Sequence, residues 1–100
     1  MGRKNKKTEA YEARARIAKG IAHPTRLLLV DELLRWKRRC VCDLTAAVGA
    51  DISTVSKHLL VLKKAGLVYD EKQAQMVFYH ALTKQVKALL EFIECCLRCS

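Results

Sequence analysis

The chain has 100 residues, 51% of them hydrophobic, and carries a formal net charge of +9 from 19 Lys and Arg against 10 Asp and Glu. This length allows one domain with a modest core that gains from a partner subunit, and the charge favours a polyanionic partner, nucleic acid first. No apolar run is long enough to span a bilayer and no apolar segment follows the charged start MGRKNKK, which argues against a membrane protein and predicts a cytoplasmic location.

The first third of the chain predicts a basic arm followed by two helices. Residues 1–7 are polar and basic and are expected to be disordered. Residues 8–20 are rich in Ala, Glu and Arg, which favour helix. After a short break, Pro24 opens a second helix over 25–37, whose apolar positions form one broad face.

The middle of the chain predicts a short helix, a tight turn and a longer helix. The short helix covers about 42–48 and ends at Gly49, and Asp51 is a favourable N-cap for a helix over 52–66. One face of the longer helix is apolar at i, i+4 and i+7 spacing, and the small polar residues of its first two turns are expected to face outward. The apolar positions are Val55, Leu59 and Leu62, and the outward positions are Ser53, Thr54, Ser56 and Lys57.

The last third of the chain predicts a hairpin and a final helix. Residues 67–72 and 76–82 carry β-branched and aromatic residues near period two, separated by Gln-Ala-Gln, and predict a β-hairpin. Residues 83–99 predict a helix with Thr83 as its N-cap. The expected fold class is therefore mainly α with a β-hairpin wing, in one domain over 8–100.

The order of these elements defines a known architecture. A short helix, a tight turn and a longer helix with a polar tip make a helix-turn-helix, and a hairpin directly after them makes it winged. The phrases IAHPTRLLLVDELL, CVCDLTAAVGADISTVSKHLLVLKKAGLV and VFYHAL closely resemble the ArsR/SmtB family of metal-responsive repressors, in order over about residues 17–90. The resemblance implies a homodimer formed by the first and last helices. It also implies that each subunit places one recognition helix in the major groove of a palindromic operator, and that metal binding releases the DNA.

The polar tip of the recognition helix and the hairpin are the parts expected to contact DNA. Small hydroxyls allow a helix to approach the duplex closely, and Ser and Thr can contact phosphates or base edges. The hairpin sequence DEKQAQ lacks the arginines that wings of this family often carry, and the basic arm is a candidate to compensate through Arg3, Lys4, Lys6 and Lys7. The residues expected to contact DNA are Ile52, Ser53, Thr54, Ser56, Lys57, His58 and Lys72.

Cys40 and Cys42 form the strongest candidate inducer site. They lie where the short helix begins, near its positive dipole end and beside Arg38 and Arg39, and both effects favour the thiolate that binds soft ions. Residues at i and i+2 point to nearly opposite sides of a regular helix, so the pair can share an ion only at or before the first turn. The arsenic-responsive members that the chain resembles have a third Cys in CVCDLC, and here that position is Thr45.

Three further cysteines, Cys95, Cys96 and Cys99, lie in the last helix, where spacings of three and four residues make side chains neighbours. All three could converge on one As(III), since some arsenic-responsive members of the family bind there. Alternatively, one of them could complete the site of Cys40 and Cys42, in the same subunit or in the other one.

These observations predict a transcriptional repressor that leaves its operator when thiolates bind arsenite or antimonite. Two alternatives stay open: a repressor of the same fold that responds to Cd(II) or Pb(II), and a thiol switch that forms a disulfide or polysulfide. No organic cofactor and no enzymatic activity are expected, because no cofactor pattern is present and the thiols lack an evident His or acid partner. The last helix lacks the Asp/His and His/Glu pairs of the family's zinc site, and His23 is expected to serve the turn before Pro24.

Overall fold

The computed structural model describes residues 6–99, which form five α-helices and one three-stranded antiparallel sheet. The mainly helical fold with a β-hairpin is therefore confirmed. None of the described helices combines the length and the apolarity that crossing a membrane would require. The elements are α1 (Lys6–Ile21), α2 (Pro24–Trp36), β1 (Arg38–Cys40), α3 (Val41–Val48), α4 (Ile52–Lys64), β2 (Val68–Gln73), β3 (Met76–Ala81) and α5 (Thr83–Cys99).

The first helix begins two residues earlier than the sequence indicates. Lys6 and Lys7 belong to α1, so they are not part of the expected disordered arm, and the remainder of that arm lies outside the described residues. Both are good helix formers, and they extend a helix that the Ala- and Glu-rich segment after them already favours.

The start of α2 is fixed by a side-chain cap. His23 has extended backbone geometry, and its Nδ1 accepts a hydrogen bond of 3.1 Å from the backbone N–H of Thr25. Pro24 occupies the first helical position, where its missing N–H costs nothing. The expected role of His23 in this turn is confirmed.

The turn between α3 and α4 has the chemistry that the sequence predicts. Gly49 ends α3 in the left-handed region at φ 69°, and its N–H donates to the carbonyl of Thr45. Asp51 then caps α4 through a carboxylate oxygen that accepts from the N–H of Thr54 at 2.7 Å. These two caps set the angle between the short helix and the recognition helix.

The sheet contains one strand that the sequence analysis missed. β1 has only three residues and no alternating pattern, so it carries no period-two signal. It pairs with β3, with Arg38 opposite His80 and Cys40 opposite Phe78, and the strand order is β1-β3-β2. The predicted hairpin is therefore the outer part of a larger sheet that reaches back to the start of α3.

The expected N-cap of the last helix is corrected by one position. Thr83 is the first residue of α5, and the carbonyl of the preceding Leu82 accepts from the N–H of Val86. The Thr83 hydroxyl instead donates to the carbonyl of Ala81 at 3.5 Å. Thr83 thus stabilises the strand-to-helix junction without capping the helix.

The core is apolar throughout, and it holds α4 from the inside. Among the described residues no polar or charged residue is buried. The predicted inward positions of α4 are all fully buried, which confirms its apolar face. The fully buried side chains are Leu29, Val30, Leu33, Leu44, Val55, Leu59, Leu62 and Val86.

Gly20 allows α1 to approach the end of α4. A Cβ atom at this buried position would lie 2.5 Å from the Cβ of Ala65 and 3.5 Å from Cδ1 of Leu67. Contacts under 3.0 Å between such atoms force the backbones apart. The glycine therefore sets the distance between α1 and the C-terminal end of the recognition helix.

We expect Gly20→Ala to destabilise the protein by about 1–3 kcal/mol, because overpacking at a backbone contact forces the two helices apart. The free energy of unfolding from urea denaturation measures this change. In an Ala65→Gly background the new methyl group has room, so the two substitutions should be strongly non-additive. Equal costs in both backgrounds would contradict the close approach of α1 and α4.

Candidate nucleic-acid interface and cysteine pair

The N-terminal half of α4 presents an exposed and mainly polar surface. Its inward residues are fixed in the core, so the opposite face lies in solvent with its side chains available to a ligand. Ile52 stands at the tip with 55% of its surface exposed. The other predicted contact residues that are exposed on this helix are Ser53, Thr54, Ser56 and Lys57.

The tip of α4 is stabilised by Asp51, which is itself fully exposed. Its carboxylate accepts from the N–H of Thr54 and from the hydroxyl of Ser53. The hydrogen bonds from Thr54, followed by that from Ser53, hold the pKa of Asp51 below its ordinary value of 3.8. The carboxylate is thus ionised at the positive end of the helix, where it stabilises the first turn.

His58 differs from the other predicted DNA-contact residues because it lies against α2. Its Nδ1 accepts a hydrogen bond from Nη1 of Arg26 at 3.1 Å, and its ring centroid lies 4.4 Å from that of His23. Burial, followed by the nearby charges of His23 and Arg26, lowers the pKa of His58 below 6.5. A contact of His58 with DNA stays a prediction, while its contact with the start of α2 is a structural feature that the sequence did not indicate.

Arg26 is a residue that the sequence analysis did not single out. Its Nη2 donates to the backbone carbonyl of Lys19 at 3.1 Å, and its Nη1 donates to His58. A single guanidinium therefore joins the end of α1, the start of α2 and the middle of α4. The only sequence signal for this role is the position of Arg26 directly after the helix start.

The wing gains positive charge from the strand that the sequence analysis missed. Lys72 is exposed on β2, as a contact residue must be. Arg38 on β1 reaches across the sheet, where its guanidinium lies 4.5 Å from the ring centroid of Phe78 and donates to Oε1 of Gln73 at 3.2 Å. The hairpin lacks arginine in its own sequence, but Arg38 brings one next to it.

The cysteine pair occupies the junction between β1 and α3. Cys40 is buried and serves as the N-cap of α3, with an extended backbone and with its Sγ accepting from the N–H of Asp43 at 3.4 Å. Cys42 is exposed in the first turn of the helix. The expected condition for a shared ligand, with one residue before the regular helix, is therefore met by the backbone.

The arginines beside the pair are directed to other groups. Arg39 forms ion pairs with Glu32 at 3.4 Å and with Asp43 at 3.7 Å, and its guanidinium lies 5.2 Å from the ring centroid of Trp36. Thr45, at the position of the absent third cysteine, donates its hydroxyl to the carbonyl of Val41 at 2.8 Å. Arg39 is thus paired with two carboxylates, and the Thr45 hydroxyl is hydrogen-bonded within its own helix.

An open cavity of about 310 Å³ lies between the cysteine pair, the tip of α4 and the tip of the hairpin. It brings together the two candidate inducer ligands and two of the predicted DNA-contact residues, Ile52 and Ser56. The contribution of the hairpin tip to this site could not be predicted from the spacing of the cysteines. The lining residues are Cys40, Val41, Cys42, Ile52, Ser56, Gln75, Met76 and Val77.

The three C-terminal cysteines lie exposed on α5, which remains helical to Cys99. All five cysteines are thiols rather than disulfides. Within residues 6–99, no three His, Cys, Asp or Glu side chains come together as a metal-holding group. The expected convergence of Cys95, Cys96 and Cys99 therefore requires either unwinding of the last turn or a second chain.

Comparison with known proteins places this geometry among DNA-binding regulators. The family model for "Bacterial regulatory protein, arsR family" matches residues 23–70. An HTH-type transcriptional regulator of Methanocaldococcus jannaschii is 34% identical over 86 residues, which cover 86% of this chain and 97% of the relative. The arsenical resistance operon repressor of Bacillus subtilis is 33% identical over 79% of the chain and 75% of its own length. The cadmium resistance regulator CadC of Listeria innocua is 33% identical over 71% of the chain, which spans 60% of that relative.

Solved structures agree with this assignment. The homodimeric winged helix-turn-helix DNA-binding domain of a possible ArsR-family regulator from Mycobacterium bovis superposes with a TM-score of 0.83 at 26% identity, covering 97% of this chain and 89% of that one. The antimony-specific transcriptional repressor AntR superposes with a TM-score of 0.74 at 31% identity, covering 90% and 80%.

The capped recognition helix and its adjoining three-stranded wing define a winged helix-turn-helix DNA-binding regulator. The relatives and the solved structures that match this chain are transcriptional regulators and DNA-binding domains, which points away from an enzyme. The chain belongs to the ArsR/SmtB family of transcriptional repressors.

We expect Asp51→Ala to lower Tm, because the first turn of α4 loses its cap, whereas Asp51→Asn should keep most of the stability because Asn is also a good N-cap. The folded-state pKa of Asp51 is depressed, so its contribution is fully present above the unfolded value and is lost as pH falls through the folded value. The stability difference between the wild type and Asp51→Asn should therefore shrink below about pH 4. Thermal unfolding followed by circular dichroism between pH 3 and 7 measures it, and a constant difference would contradict a stabilising contribution from the Asp51 charge.

Proposed function

We propose that this protein represses transcription by binding operator DNA through α4, and that it leaves the operator when Cys40 and Cys42 bind As(III) or Sb(III). The observation that carries the proposal is the shared cavity, in which both cysteines face the same space as Ile52 and Ser56. A ligand on the sulfurs is thus adjacent to the element that reads DNA.

The route from ligand to DNA release runs through the cap of α3. Cys40 caps the first turn of α3 through its Sγ, which accepts from the N–H of Asp43 at 3.4 Å. An oxygen N-cap typically contributes about 0.5–2 kcal/mol, and a sulfur cap lies at the weak end of such interactions. Drawing both sulfurs onto one ion reorients this first turn. Since α3 and the turn at Gly49 set the position of α4, the recognition helix loses its fit to the duplex. A coupling of about 1–3 kcal/mol corresponds to a 5–150-fold change in DNA affinity.

We infer that the protein works as a homodimer. Apolar side chains lie exposed on the first and last helices, and Phe92 and Leu97 of α5 are 67% and 65% exposed. On α1, Tyr11 and Ile17 are exposed as well. Burial of these side chains against a second copy would stabilise a domain of this size and present two recognition helices to a two-fold operator.

Trivalent arsenic is the preferred inducer element because the described site is rich in sulfur and poor in oxygen and nitrogen donors. Thiolates select soft ions, and a relative named for arsenical resistance and a neighbour named for antimony share the fold. The third donor to As(III) comes from solvent or from one of the exposed cysteines of α5. Two alternatives would use the same fold: a repressor that responds to Cd(II) or Pb(II), and a thiol redox switch. The inducer titration described next distinguishes them from an arsenic-responsive repressor.

We expect As(III) to weaken the binding of wild-type protein to its operator at least tenfold, within the usual range of allosteric coupling. The duplex is first obtained by selection from random sequences, and binding is then followed by fluorescence anisotropy during titration with As(III), Cd(II), Pb(II) and peroxide. Cys40→Ser/Cys42→Ser should bind the same duplex and resist As(III). Cys95→Ser/Cys96→Ser/Cys99→Ser is the matched comparison: it should still respond where solvent supplies the third donor, and it should respond more weakly where an α5 cysteine supplies it.

The outcomes of this experiment separate the candidates. Release by As(III) that needs the α5 cysteines but not Cys40 and Cys42 would move the sensing site to α5. Stronger release by Cd(II) or Pb(II), or release by peroxide alone, would replace the inducer by the corresponding alternative. A purified chain that prefers no duplex over any other would refute the repressor function.

We expect Lys57→Gln and Lys72→Gln each to weaken operator binding and to flatten its salt dependence. Removal of one lysine–phosphate interaction should reduce the slope of log K against log salt by about 0.9. Lys64→Gln, which removes the same charge at the other end of α4, is the matched control and should leave the slope nearly unchanged. Equal effects of all three substitutions would show that only net charge matters and would contradict DNA contacts at Lys57 and Lys72.

A further inference from the structure

The cysteine pair offers two sulfurs to a ligand whose chemistry asks for three substituents. As(III) is pyramidal with three substituents, and Cys40 and Cys42 would supply two of them. Within the described residues no third His, Cys, Asp or Glu completes the group. The hydroxyl of Thr45 is directed to the carbonyl of Val41 in its own helix.

The space next to the two sulfurs is mainly apolar. Ile52 comes from the tip of α4, and Met76 and Val77 come from the hairpin. Ser56 and Gln75 are the polar members of the lining besides the thiols. The third substituent on a captured arsenic atom therefore meets hydrocarbon on two sides, where burial of an apolar group is favourable and burial of an unpaired hydroxyl is not.

The cavity is also large enough for an organic group. It measures about 310 Å³ and is partly open to solvent, and of the two cysteines that line it Cys42 is exposed and Cys40 is buried. An apolar cavity of about 150 Å³ is enough to hold benzene. A ligand can thus enter beside Cys42 and keep a phenyl or alkyl substituent between α4 and the hairpin.

We propose that this site binds monosubstituted organic arsenicals of the type R–As(OH)₂ in preference to inorganic arsenite. The two thiols replace the two hydroxyl groups, so two As–S bonds form, two As–O bonds break and two water molecules leave. The As–C bond stays intact and arsenic stays As(III), so the step needs no oxidant or reductant. The substituent R fills the cavity between Ile52, Met76 and Val77.

This inference deepens the proposed function and rests on it, because the ligand must also weaken DNA binding. The organic group would lie between the recognition helix and the wing, which are the two parts expected to touch the duplex. It would therefore push the recognition helix and the wing apart, in addition to changing the cap of α3. Inorganic arsenite acts only through that cap.

The test uses phenylarsine oxide, which hydrates to the required R–As(OH)₂ form, and sodium arsenite. The protein carries Cys95→Ser/Cys96→Ser/Cys99→Ser, so that only the cysteine pair binds. Affinities are measured by native mass spectrometry in competition with dithiothreitol, a dithiol without a cavity. Expressing each affinity relative to dithiothreitol removes the difference in intrinsic thiol affinity between the two arsenicals. We expect the phenyl compound to be preferred at least tenfold over arsenite relative to dithiothreitol, as an adduct that consumes two thiols.

Cavity variants decide whether the lining causes this preference. Met76→Gln/Val77→Thr keeps side-chain size and removes apolar surface, and the preference should fall to within about twofold of that of dithiothreitol. Met76→Gln alone should give an intermediate value, and it serves as the milder variant if the double one unfolds. Leu60→Gln is the control, because Leu60 is an exposed apolar residue of α4 that does not line the cavity.

Failure of the inference and failure of the proposed function are distinguishable. Absence of a preference for the phenyl compound, or a preference that survives in the cavity variants, would overturn the inference while release of operator by arsenite still supports the repressor. Selective binding of the phenyl compound without any loss of DNA affinity would overturn the coupling of this site to DNA. Selective binding together with stronger release than arsenite produces supports both.

Discussion

A single weak hydrogen bond organises the functional part of this molecule. The Sγ atom of Cys40 accepts from the N–H of Asp43, and through it the end of β1 becomes the cap of α3. Most helices are capped by oxygen, which has no affinity for soft ions. Here the capping atom is also the atom that an arsenical would take. In the proposed mechanism, regulation needs no distant pathway, because the ligand would compete directly with this structural contact.

The recognition helix is suited to receive such a change because its two faces are unequal. Val55, Leu59 and Leu62 are completely buried, so the inner face of α4 is held as one unit against the core. Its outer face has few internal contacts and is free to match a duplex. A small rotation at the turn before Asp51 therefore changes the position of every outer side chain together, while the core needs only slight repacking.

Much of this structure follows from the sequence, and the exceptions have physical causes. The capping residues His23, Gly49 and Asp51 act locally, through groups two to four residues away, so their roles can be predicted from adjacent residues. β1 could not be predicted, because three residues carry no period and their partners lie about forty positions away in β3. The same holds for the site. The two cysteines could be predicted as ligands from their spacing and chemistry. Met76 and Val77 could not, because only the fold of the hairpin brings them to the cavity.

The position of His58 shows a second limit of sequence reasoning. By spacing alone it belongs with the polar tip of α4, but its ring lies against His23 and Arg26. A helix of this pitch places residue 58 at the border between the buried and the exposed face, so only the neighbouring helix decides which way the side chain turns. Border positions are the ones at which a pattern gives the weakest indication.

The guanidinium of Arg26 has a mechanical consequence. It donates hydrogen bonds to the carbonyl of Lys19 and to the ring of His58. Gly20 packs the same end of α1 against Ala65. The C-terminal end of α1 is therefore connected to α4 by two separate contacts. Two contacts at this junction restrict sliding of α1 against α4. In the proposed homodimer, a twist of α1 would therefore be passed to α4 through these two contacts.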